Sequence, residues 1–452
     1  MGLRGKIVMA VAAVLLAVMA AAPWLIPSSA WIPKVESEAA KRLGASVRIG
    51  DIRVALLPLP HLGVVGLNVG DDAISAKAIA VYPRLMSLFA DQRVLRRIEL
   101  EQVVVSRKGV DLLAALAAKP ASGGAAVKIE RVRASHIEVE LAAGKLPAFN
   151  ADIELNLGAA PGALPLERAL VTTVDGKAKL ALVPESTDGN DGKDSSAWRL
   201  TLDAADWLLP AGPPLRFASL KASGRVTAGK LTLGDINAAL YGGKLSGKAE
   251  LAWVKNWRLA GDAKLEGIDI MPVTQALKVK AALSGKLDAS GPFSAQAAKP
   301  AGLADAVNAD VGFAVRNGVL QGFDLAAATQ SLLKGRAGSG STQFDQLTGK
   351  VKVQGRAYKL RDVKVASGAL QAAGNVDISA TKQLSGRIDT ALKGSGGLVG
   401  VPLAVSGTLD KPVLMPTTGS LAGAAVGSVL LPGVGTSIGA SVGDKIGKLF
   451  GK

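Results

Sequence analysis

The sequence INAALYGGKLSGKAEL at residues 236–251 decides the fold class of this chain. Apolar and polar residues alternate on both sides of Gly242 and Gly243, which predicts two β-strands joined there by a tight hairpin. Alternate side chains of a strand point to opposite faces, so one face of this hairpin is apolar. That face carries Ile236, Ala238, Leu240, Leu245, Gly247, Ala249 and Leu251. A half-apolar sheet needs a helix layer, a second sheet or an apolar ligand to cover it.

The rest of the chain extends the same pattern. Of the 452 residues, 49% are hydrophobic but 4% are aromatic, and 53 are glycine, so the apolar surface is built from small side chains. Between residues 120 and 416 roughly a dozen segments alternate, against one or two that predict a helix, such as DLAAATQSLLKG from Asp324. A helix layer is therefore not expected. The remaining arrangements are a sandwich, a closed barrel, or one long curved antiparallel sheet whose apolar face is left for lipid.

A weak repeat runs through the second half, with LSGK, LSGK, LTGK and LSGR beginning at residues 245, 283, 347 and 384. Its glycine falls on the apolar face each time. Glycine inside a strand marks a bulge, a bend or a close approach to the backbone, and two interpretations follow: curvature of the sheet, and room for an apolar guest. The predicted lining of a groove is Leu245, Gly247, Leu251, Leu283, Gly285, Leu287, Leu347, Gly349, Val351, Val353, Leu384, Gly386 and Ile388.

The composition argues against most catalytic chemistry. There are no cysteines and two histidines, which excludes disulfides, thiolate catalysis and zinc sites of the cysteine type, and disfavours a histidine-built metal centre. Carboxylates are dispersed over polar faces, so we predict no catalytic residues, no metal, no cofactor and no enzymatic activity. The net charge of +16 is scattered singly, which indicates a solvated sheet face and no nucleic-acid partner. Attraction to anionic lipid surfaces is a weaker, compatible interpretation.

The N-terminal segment predicts a membrane anchor. Residues 7–26 form an uncharged segment that is long enough to span a bilayer as a helix. Because Arg4 and Lys6 precede this segment, the N-terminus is expected inside and the rest of the chain exported. The rival interpretation is a cleaved signal peptide, since MAAA precedes Pro23, but the apolar run exceeds a usual signal sequence. The predicted anchor residues are Ile7, Val8, Val11, Val14, Leu15, Leu16, Val18, Trp24 and Trp31.

The C-terminal tail carries glycines at every fourth position. On helices these would form stripes where backbones approach closely, which predicts a glycine-zipper helical hairpin around Pro432. Each arm is about 14 residues, or roughly 21 Å, too short for an ordinary membrane span. Interfacial insertion, self-association and capping of a groove end are the functional interpretations, and a flexible low-complexity tail is the other one. The zipper glycines are Gly419, Gly423, Gly427, Gly435, Gly439, Gly443 and Gly447.

In their order, several strings resemble those of the AsmA family of bacterial envelope proteins. After the anchor, a predicted helix PKVESEAAKRLG at residues 33–44 leads into strands from Val47, a strand at 96–109 and a short helix from Asp111. This opening is similar to the family's first domain. In the C-terminal part the similar strings are NAALYGGKLSGKAEL, VRNGVLQGFDLAA, TQFDQLTGKVKVQG, LRDVKVASGALQAAGNVDI and VPLAVSGTLDKPVLMP.

The resemblance implies an inner-membrane protein with a repeating periplasmic β-groove, related in architecture to TamB and to chorein-type lipid bridges. It implies phospholipids as partners, in lipid transport between the membranes and outer-membrane biogenesis, and brings no catalytic residues. The alternative is a scaffold or regulator of outer-membrane protein assembly, with assembly-machinery proteins as partners. We predict a membrane anchor at 1–30, an AsmA/chorein-like domain at 31–118, a central β-groove at 119–300, an AsmA-like β-groove at 301–416 and the glycine-zipper tail at 417–452.

Overall fold

A computed structural model describes residues 32–417, except for 56–58, 85, 88–92, 118–127, 142–143, 159–165, 186–196, 211–212, 278–282, 331–339, 369 and 395–396. The predicted membrane anchor and the predicted glycine zipper both lie outside these residues. Within the described part, no helix has the length and apolar character needed to cross a membrane. The expectation of a mainly β, antiparallel chain is confirmed.

The chain divides into two compact units, the first at residues 1–204 with 210–212 and the second at 205–209 with 213–452. The first unit holds two helices, which confirm the helices predicted from residue 33 and from Asp111. Its elements are α1 (Ile32–Leu43), β1 (Val47–Ala55), β2 (His61–Val69), β3 (Ile74–Pro83), β4 (Val94–Val105), α2 (Arg107–Ala117), β5 (Lys128–Ile129), β6 (Arg131–Leu141), β7 (Gly144–Lys145), β8 (Phe149–Leu155), β9 (Leu166–Thr173), β10 (Ala178–Pro184) and the first part of β11 (Trp198–Leu208), whose residues from 205 onward belong to the second unit.

Strand pairing in the first unit is antiparallel except at β4, which pairs in parallel with both β5 and β6. Strands β1 to β4 form a meander, β6 pairs in parallel with β4, and β8 to β11 continue antiparallel. A parallel pair needs a crossover connection, and α2 begins that connection. Val110 of α2 packs against a small apolar cluster formed by Ala76, Val103 and Val105, so the helix covers this part of the sheet.

The second unit is an antiparallel meander from β12 to β23. Each strand pairs with its neighbours in sequence. Its elements are β12 (Arg216–Thr227), β13 (Lys230–Leu240), β14 (Gly243–Ala252), β15 (Trp257–Asp269), α3 (Ile270–Ala276), β16 (Leu283–Ala297), two 3-10 turns (Pro300–Gly302 and Ala304–Ala306), β17 (Asn308–Gln321), α4 (Leu325–Gln330), β18 (Ser341–Gln354), β19 (Ala357–Ala366), β20 (Leu370–Ile378), β21 (Leu384–Gly394), β22 (Gly397–Thr408) and β23 (Lys411–Pro416).

The hairpin predicted at residues 236–251 is β13 and β14, although its turn is displaced by one residue. Leu240 pairs with Gly243, so the two turn residues are Tyr241 and Gly242 rather than the two glycines. Their φ angles are 45° and 75°. A two-residue hairpin turn with positive φ at both positions matches the twist of the strands it joins, which explains why this connection is so short.

Bulges interrupt the strand pairing in both units, and three of them contain the same type of hydrogen bond. The backbone N–H of a residue with positive φ donates to the Oδ1 atom of an Asn or Asp on the next strand. The pairs are His136 with Asn150 (2.8 Å), Gly267 with Asp288 (2.8 Å) and Asp362 with Asn375 (3.0 Å). A bulge leaves an N–H outside the ladder and bends its strand, so these side chains stabilise the bends.

Close packing of the chain's own atoms explains the recurring strand glycines. A Cβ atom at Gly247 would lie 2.3 Å from the carbonyl oxygen of Asp262, and one at Gly386 would lie 2.3 Å from that of Asn375. At Gly349 the ring of Phe313 occupies the space, 3.0 Å from the Cβ position. The neighbouring strand or ring therefore fills the volume that these glycines leave, as expected for glycines at a close backbone approach.

Candidate functional site

One apolar face runs across the strands of the second unit, and the strand register defines it. Leu251 lies directly opposite Leu231 on one side and Leu259 on the other. Directly opposite residues of an antiparallel pair present their side chains to the same face, so the three leucines form a row. We call Leu231, Leu251 and Leu259 the open row. Further along β14, Leu245 lies opposite Leu265, which lies opposite Ala289, so the same face continues onto β16.

The register places every residue of the predicted lining on this apolar face. They come from four strands: Leu245, Gly247 and Leu251 from β14; Leu283, Gly285 and Leu287 from β16; Leu347, Gly349, Val351 and Val353 from β18; Leu384, Gly386 and Ile388 from β21. Their surroundings differ, however. Some lie within a closed core, whereas others stay half-buried, so the face has two regions.

The closed region surrounds helix α4, and we call it the closed cluster. Its buried side chains are Val315, Phe323, Leu325, Ala328, Phe344, Leu347, Val365, Leu370, Ala372, Leu384, Val401, Leu403, Val405 and Leu414. Leu325 of α4 is 1% exposed and Leu403 of β22 is 0% exposed. Leu347 and Leu384 of the predicted lining therefore contribute to a core, and Leu283, Leu287 and Ile388 pack against it.

Buried hydrogen bonds fix α4 over the sheet. The Oγ1 atoms of Thr329 on α4 and Thr390 on β21 lie 2.7 Å apart. Thr329 also lies within donating distance of the Leu325 carbonyl (2.6 Å), and Thr390 within donating distance of the Val401 carbonyl (2.8 Å). At the start of the helix, the backbone N–H of Leu325 donates to Thr342 Oγ1 at 3.0 Å. These groups are buried, so each needs such a partner.

The open row has a different environment. Leu231, Leu251 and Leu259 are each half-buried, as are Val351 and Val353 of the predicted lining. Strands β13 to β15 pack chiefly against one another and against β12 and β16, and no helix of the described residues forms a layer over them. The side chains of these three leucines thus form a continuous apolar surface across β13, β14 and β15 that is partly accessible to solvent.

The opposite face of the same strands is charged. Cross-strand ion pairs join Lys230 to Glu250 at 2.8 Å and Lys248 to Asp262 at 3.5 Å. Their side chains are about half exposed or more. Exposed pairs of this kind contribute little stability, so this face is a solvated surface. The contrast between the two faces makes the sheet amphipathic.

The first unit has a shallow concavity on its own polar face. It has a volume of about 530 Å³ and includes Glu99, Glu101, Arg133 and Asp152 in its lining. The Arg131 Nε–H donates to Asp152 Oδ1 at 2.6 Å, and this hydrogen bond together with the positive charge holds the pKa of Asp152 below its usual value. Arg131 and Arg133 both pair with Asp152 across strands, and Ala78, Ala80, Leu100 and Leu170 also line the concavity, so its surface mixes paired charges with small apolar side chains.

The outer edge of β23 offers few hydrogen-bond donors. The N–H of Thr417 donates to the carbonyl of Pro402 at 3.1 Å. The backbone N–H groups of the odd-numbered residues of β23 therefore point toward β22, and the backbones of the even-numbered residues point outward from the sheet edge. Two of the three outward positions are Pro412 and Pro416, which have no N–H, and Leu414 is the third. Prolines at the edge of a sheet discourage pairing with another strand.

The outer edge of β1 is protected by carboxylates instead. The N–H of Ile49 donates to Glu36 Oε1 of α1 at 2.7 Å, and the N–H of Ile52 donates to Asp51 Oδ1 at 2.9 Å. Both donors are therefore unavailable to an incoming strand. Covering an edge with a helix and side chains has the same effect as placing prolines in it.

Two features of the site were missed in the sequence. Leu259 belongs to the open row, but its strand was not identified as part of the face, although WRLAGDAKLEG at residues 257–267 alternates as regularly as the opening hairpin. The bulges between Leu233 and Ile236 and between Leu265 and Ile268 shift the alternation and conceal the continuity of the face. The helix at α4 was predicted, but its position over the sheet was not.

These observations define a class of protein: a repeating antiparallel β-sheet with one charged face and one apolar face that is open over part of its length. The AsmA family model matches residues 213–360, which run from the start of β12 into β19. Residues 213–360 are therefore similar to the AsmA family. No curated protein and no solved structure matches the chain. The similarity of residues 31–118 and 361–416 to the family stays a prediction.

Proposed function

We propose that the apolar face of the second unit holds phospholipid acyl chains at the open row, with headgroups in water beyond the strand ends. The observation that carries this proposal is the row formed by Leu231, Leu251 and Leu259, three half-buried leucines on neighbouring strands without a covering helix among the described residues. The match of residues 213–360 to the AsmA family and the amphipathic sheet support it. The driving force is the removal of apolar surface from water, about 0.8 kcal/mol for each buried methylene group.

The proposal includes the location and the process. Residues 7–26 anchor the chain in the inner membrane, the remainder lies in the periplasm, and the bound lipid is in transit between the membranes for outer-membrane biogenesis. The uncharged segment behind Arg4 and Lys6 supports the anchor, and the family supports the process. The chain is not proposed to be an enzyme.

The alternative function, a scaffold that binds client proteins by strand addition, has less support. Strand addition needs a row of free backbone donors and acceptors on an edge. The outer edge of β23 has prolines at two of its three outward positions, and two donors of the β1 edge are already bonded to carboxylates. The open row is the more accessible feature, so the lipid function is the one that we propose.

Photo-crosslinking in living cells tests where lipid lies. A benzoylphenylalanine residue at position 251 places the reactive group on the apolar face, whereas the same residue at position 250 places it on the charged face of the same strand. After irradiation of cells grown with ³²P-phosphate, we expect a labelled lipid adduct at 251 and little at 250. Equal labelling at both positions, or none at 251, would contradict the proposal.

A charge placed on the open row tests whether that surface is needed for envelope function. Leu259→Lys introduces an ammonium group onto the apolar face, while Ala260→Lys introduces the same group onto the charged face one residue away. Burying an unpaired charge against acyl chains is costly, so we expect Leu259→Lys to weaken the outer-membrane barrier and Ala260→Lys to preserve it. The readout is entry of large antibiotics into cells that express each variant at equal levels.

A further inference from the structure

One end of the strands of the second unit is made of short connections, and we call it the turn end. Its connections are residues 228–229, 253–256, 298–307, 355–356, 379–383 and 409–410. Hydrogen bonds join them side by side: Trp253 N–H to the Gly229 carbonyl at 3.0 Å, and Leu409 N–H to the Lys382 carbonyl at 2.9 Å. Helices α3 and α4 both lie in connections at the opposite end. The turn end is thus a rim on which neighbouring connections are hydrogen-bonded in pairs.

The connection between β14 and β15 carries the most exposed large apolar side chain of this rim. Val254 at its tip is 79% exposed. On either side of it, the rings of Trp253 and Trp257 lie 6.0 Å apart, and the Trp253 Nε1–H donates to the Ala228 carbonyl at 3.1 Å. Both tryptophans are half-buried and continue the alternation of Leu251 and Leu259, so they extend the apolar face to the rim.

The remainder of the rim has a net positive charge. Lys255, Lys299 and Lys382 in its connections and Lys411 at the start of β23 are exposed, and none of them forms an ion pair within the described residues. The exposed Asp410, next to Lys411, offsets one of these charges. The acidic Asp305 is already paired with Arg356, at 2.8 Å. An exposed aliphatic tip between two tryptophans, with Lys255 and Lys299 in the same and the adjacent connection and further exposed lysines along the rim, is a combination that suits the surface of an anionic bilayer.

We propose that the turn end docks on the surface of an anionic phospholipid bilayer. Val254 and the two indole rings enter the interfacial zone, and the lysines lie against the phosphate headgroups. Tryptophan suits this zone because its ring is apolar and its N–H is polar. The inference goes beyond lipid binding on the apolar face, because it concerns contact with a membrane surface and would hold for a sheet that carried no lipid.

The absence of cysteine from the sequence gives a direct test. Val254→Cys in the full chain can be labelled with the environment-sensitive dye nitrobenzoxadiazole at that position alone, and the labelled protein reconstituted into vesicles. The control is Gly368→Cys at the opposite end of the strands, where an added Cβ meets no atom within 4 Å. In vesicles with phosphatidylglycerol we expect the emission of the label at 254 to rise and shift to the blue, relative to phosphatidylcholine alone, and that at 368 to stay unchanged.

Charge reversal then tests the basic rim. In the labelled Val254→Cys protein, Lys255→Glu together with Lys299→Glu should abolish the response, since each basic residue near an anionic surface contributes about a fivefold gain in binding. Lys364→Glu, the same change at an exposed lysine near the opposite strand end, should preserve it. No response at 254, or loss of the response with Lys364→Glu as well, would overturn the proposal.

Monomeric dihexanoylphosphatidylglycerol separates docking from lipid binding. Added to labelled protein in phosphatidylcholine vesicles, it supplies the headgroup without an anionic surface, so we expect no response at position 254. A full response to the monomer would show that the rim binds single lipids, and would overturn bilayer docking while leaving the proposal for the open row intact. Failure of photo-crosslinking at position 251 would have the opposite consequence.

Discussion

The closed cluster and the open row are two regions of one apolar face, built from the same kind of strand. In the closed cluster, six residues of helix, Leu325–Gln330, supply the cover, and Leu403 and Val315 reach 0% exposure. In the open row no helix of the described residues does so, and the leucines stay half-buried. The difference teaches that alternation decides which face of a sheet is apolar, whereas an element in a connection decides whether that face becomes a core.

Truncation of one leucine in each region should give the largest difference. Leu403→Ala creates a cavity in the closed cluster and should lower the free energy of unfolding by about 3 kcal/mol. Leu251→Ala removes a side chain that is only half-buried, and should cost less than about 1 kcal/mol. Hydrogen exchange of the β21–β23 and β13–β15 peptides measures both. A cost at Leu251 that matched the cost at Leu403 would mean that the open row is also a core.

A methyl group added at a strand glycine should have the next largest effect. Gly247→Ala brings a Cβ to within 2.3 Å of the Asp262 carbonyl oxygen, and we expect the forced separation of β14 and β15 to cost about 2 kcal/mol. Gly312→Ala is the control, because its Cβ would meet no atom within 4 Å. Urea denaturation of both variants decides whether position 247 needs glycine because β15 packs against it or because the space beside it is left for an apolar guest. A neutral Gly247→Ala would favour the empty site.

The threonine pair tests what holds α4 in place. Thr390→Val removes a hydroxyl that contacts Thr329 and the carbonyl of Val401, and should cost about 1 kcal/mol, because the buried carbonyl loses a donor. Protection of β21 and α4 peptides from hydrogen exchange should fall together. Thr348→Val, at a half-buried threonine of β18, should have little effect. If the two variants behaved alike, the hydrogen bonds would not be what positions the helix.

The smallest effect is expected on the charged face. Arg361 Nη1 donates to Asp377 Oδ1 at 2.6 Å, and this hydrogen bond holds the pKa of Asp377 below its usual value. Because the pKa of Asp377 is lower in the folded chain, its carboxylate stabilises the fold at pH values above about 3.9, the ordinary pKa of an Asp side chain. This contribution is lost as the pH falls through the lowered pKa. Both side chains are more than 40% exposed, so Asp377→Asn should cost a few tenths of a kcal/mol.

The pH dependence supplies the control for that pair. Between about pH 5 and pH 3 the wild-type chain should lose slightly more stability than Asp377→Asn, because the variant has no carboxylate to protonate at this position. Thermal unfolding at both pH values measures the difference. A larger loss in the variant would contradict the assignment of the pKa direction to the Arg361 contact.

Several parts of the fold could be predicted because they depend on local patterns. Alternation placed Leu245, Leu283, Leu347 and Leu384 on one face, and the helix from Asp324 was expected from its composition. The cover could not be predicted, since it depends on contacts such as that between Thr329 and Thr390, which lie 61 residues apart. The bulges were missed for a related reason. Their bonds to Asn150 and Asn375 join different strands, so no local pattern marks them.

The prolines of β23 have a consequence for how many copies can join. A sheet with a free edge can grow by adding strands from a second molecule, and its apolar face would then lengthen with protein concentration. Pro412 and Pro416 oppose such growth. The twelve strands from β12 to β23 therefore fix the length of the second unit's sheet, roughly 60 Å at about 4.8 Å per strand. The reach of the second unit is thus encoded in its gene rather than set by assembly.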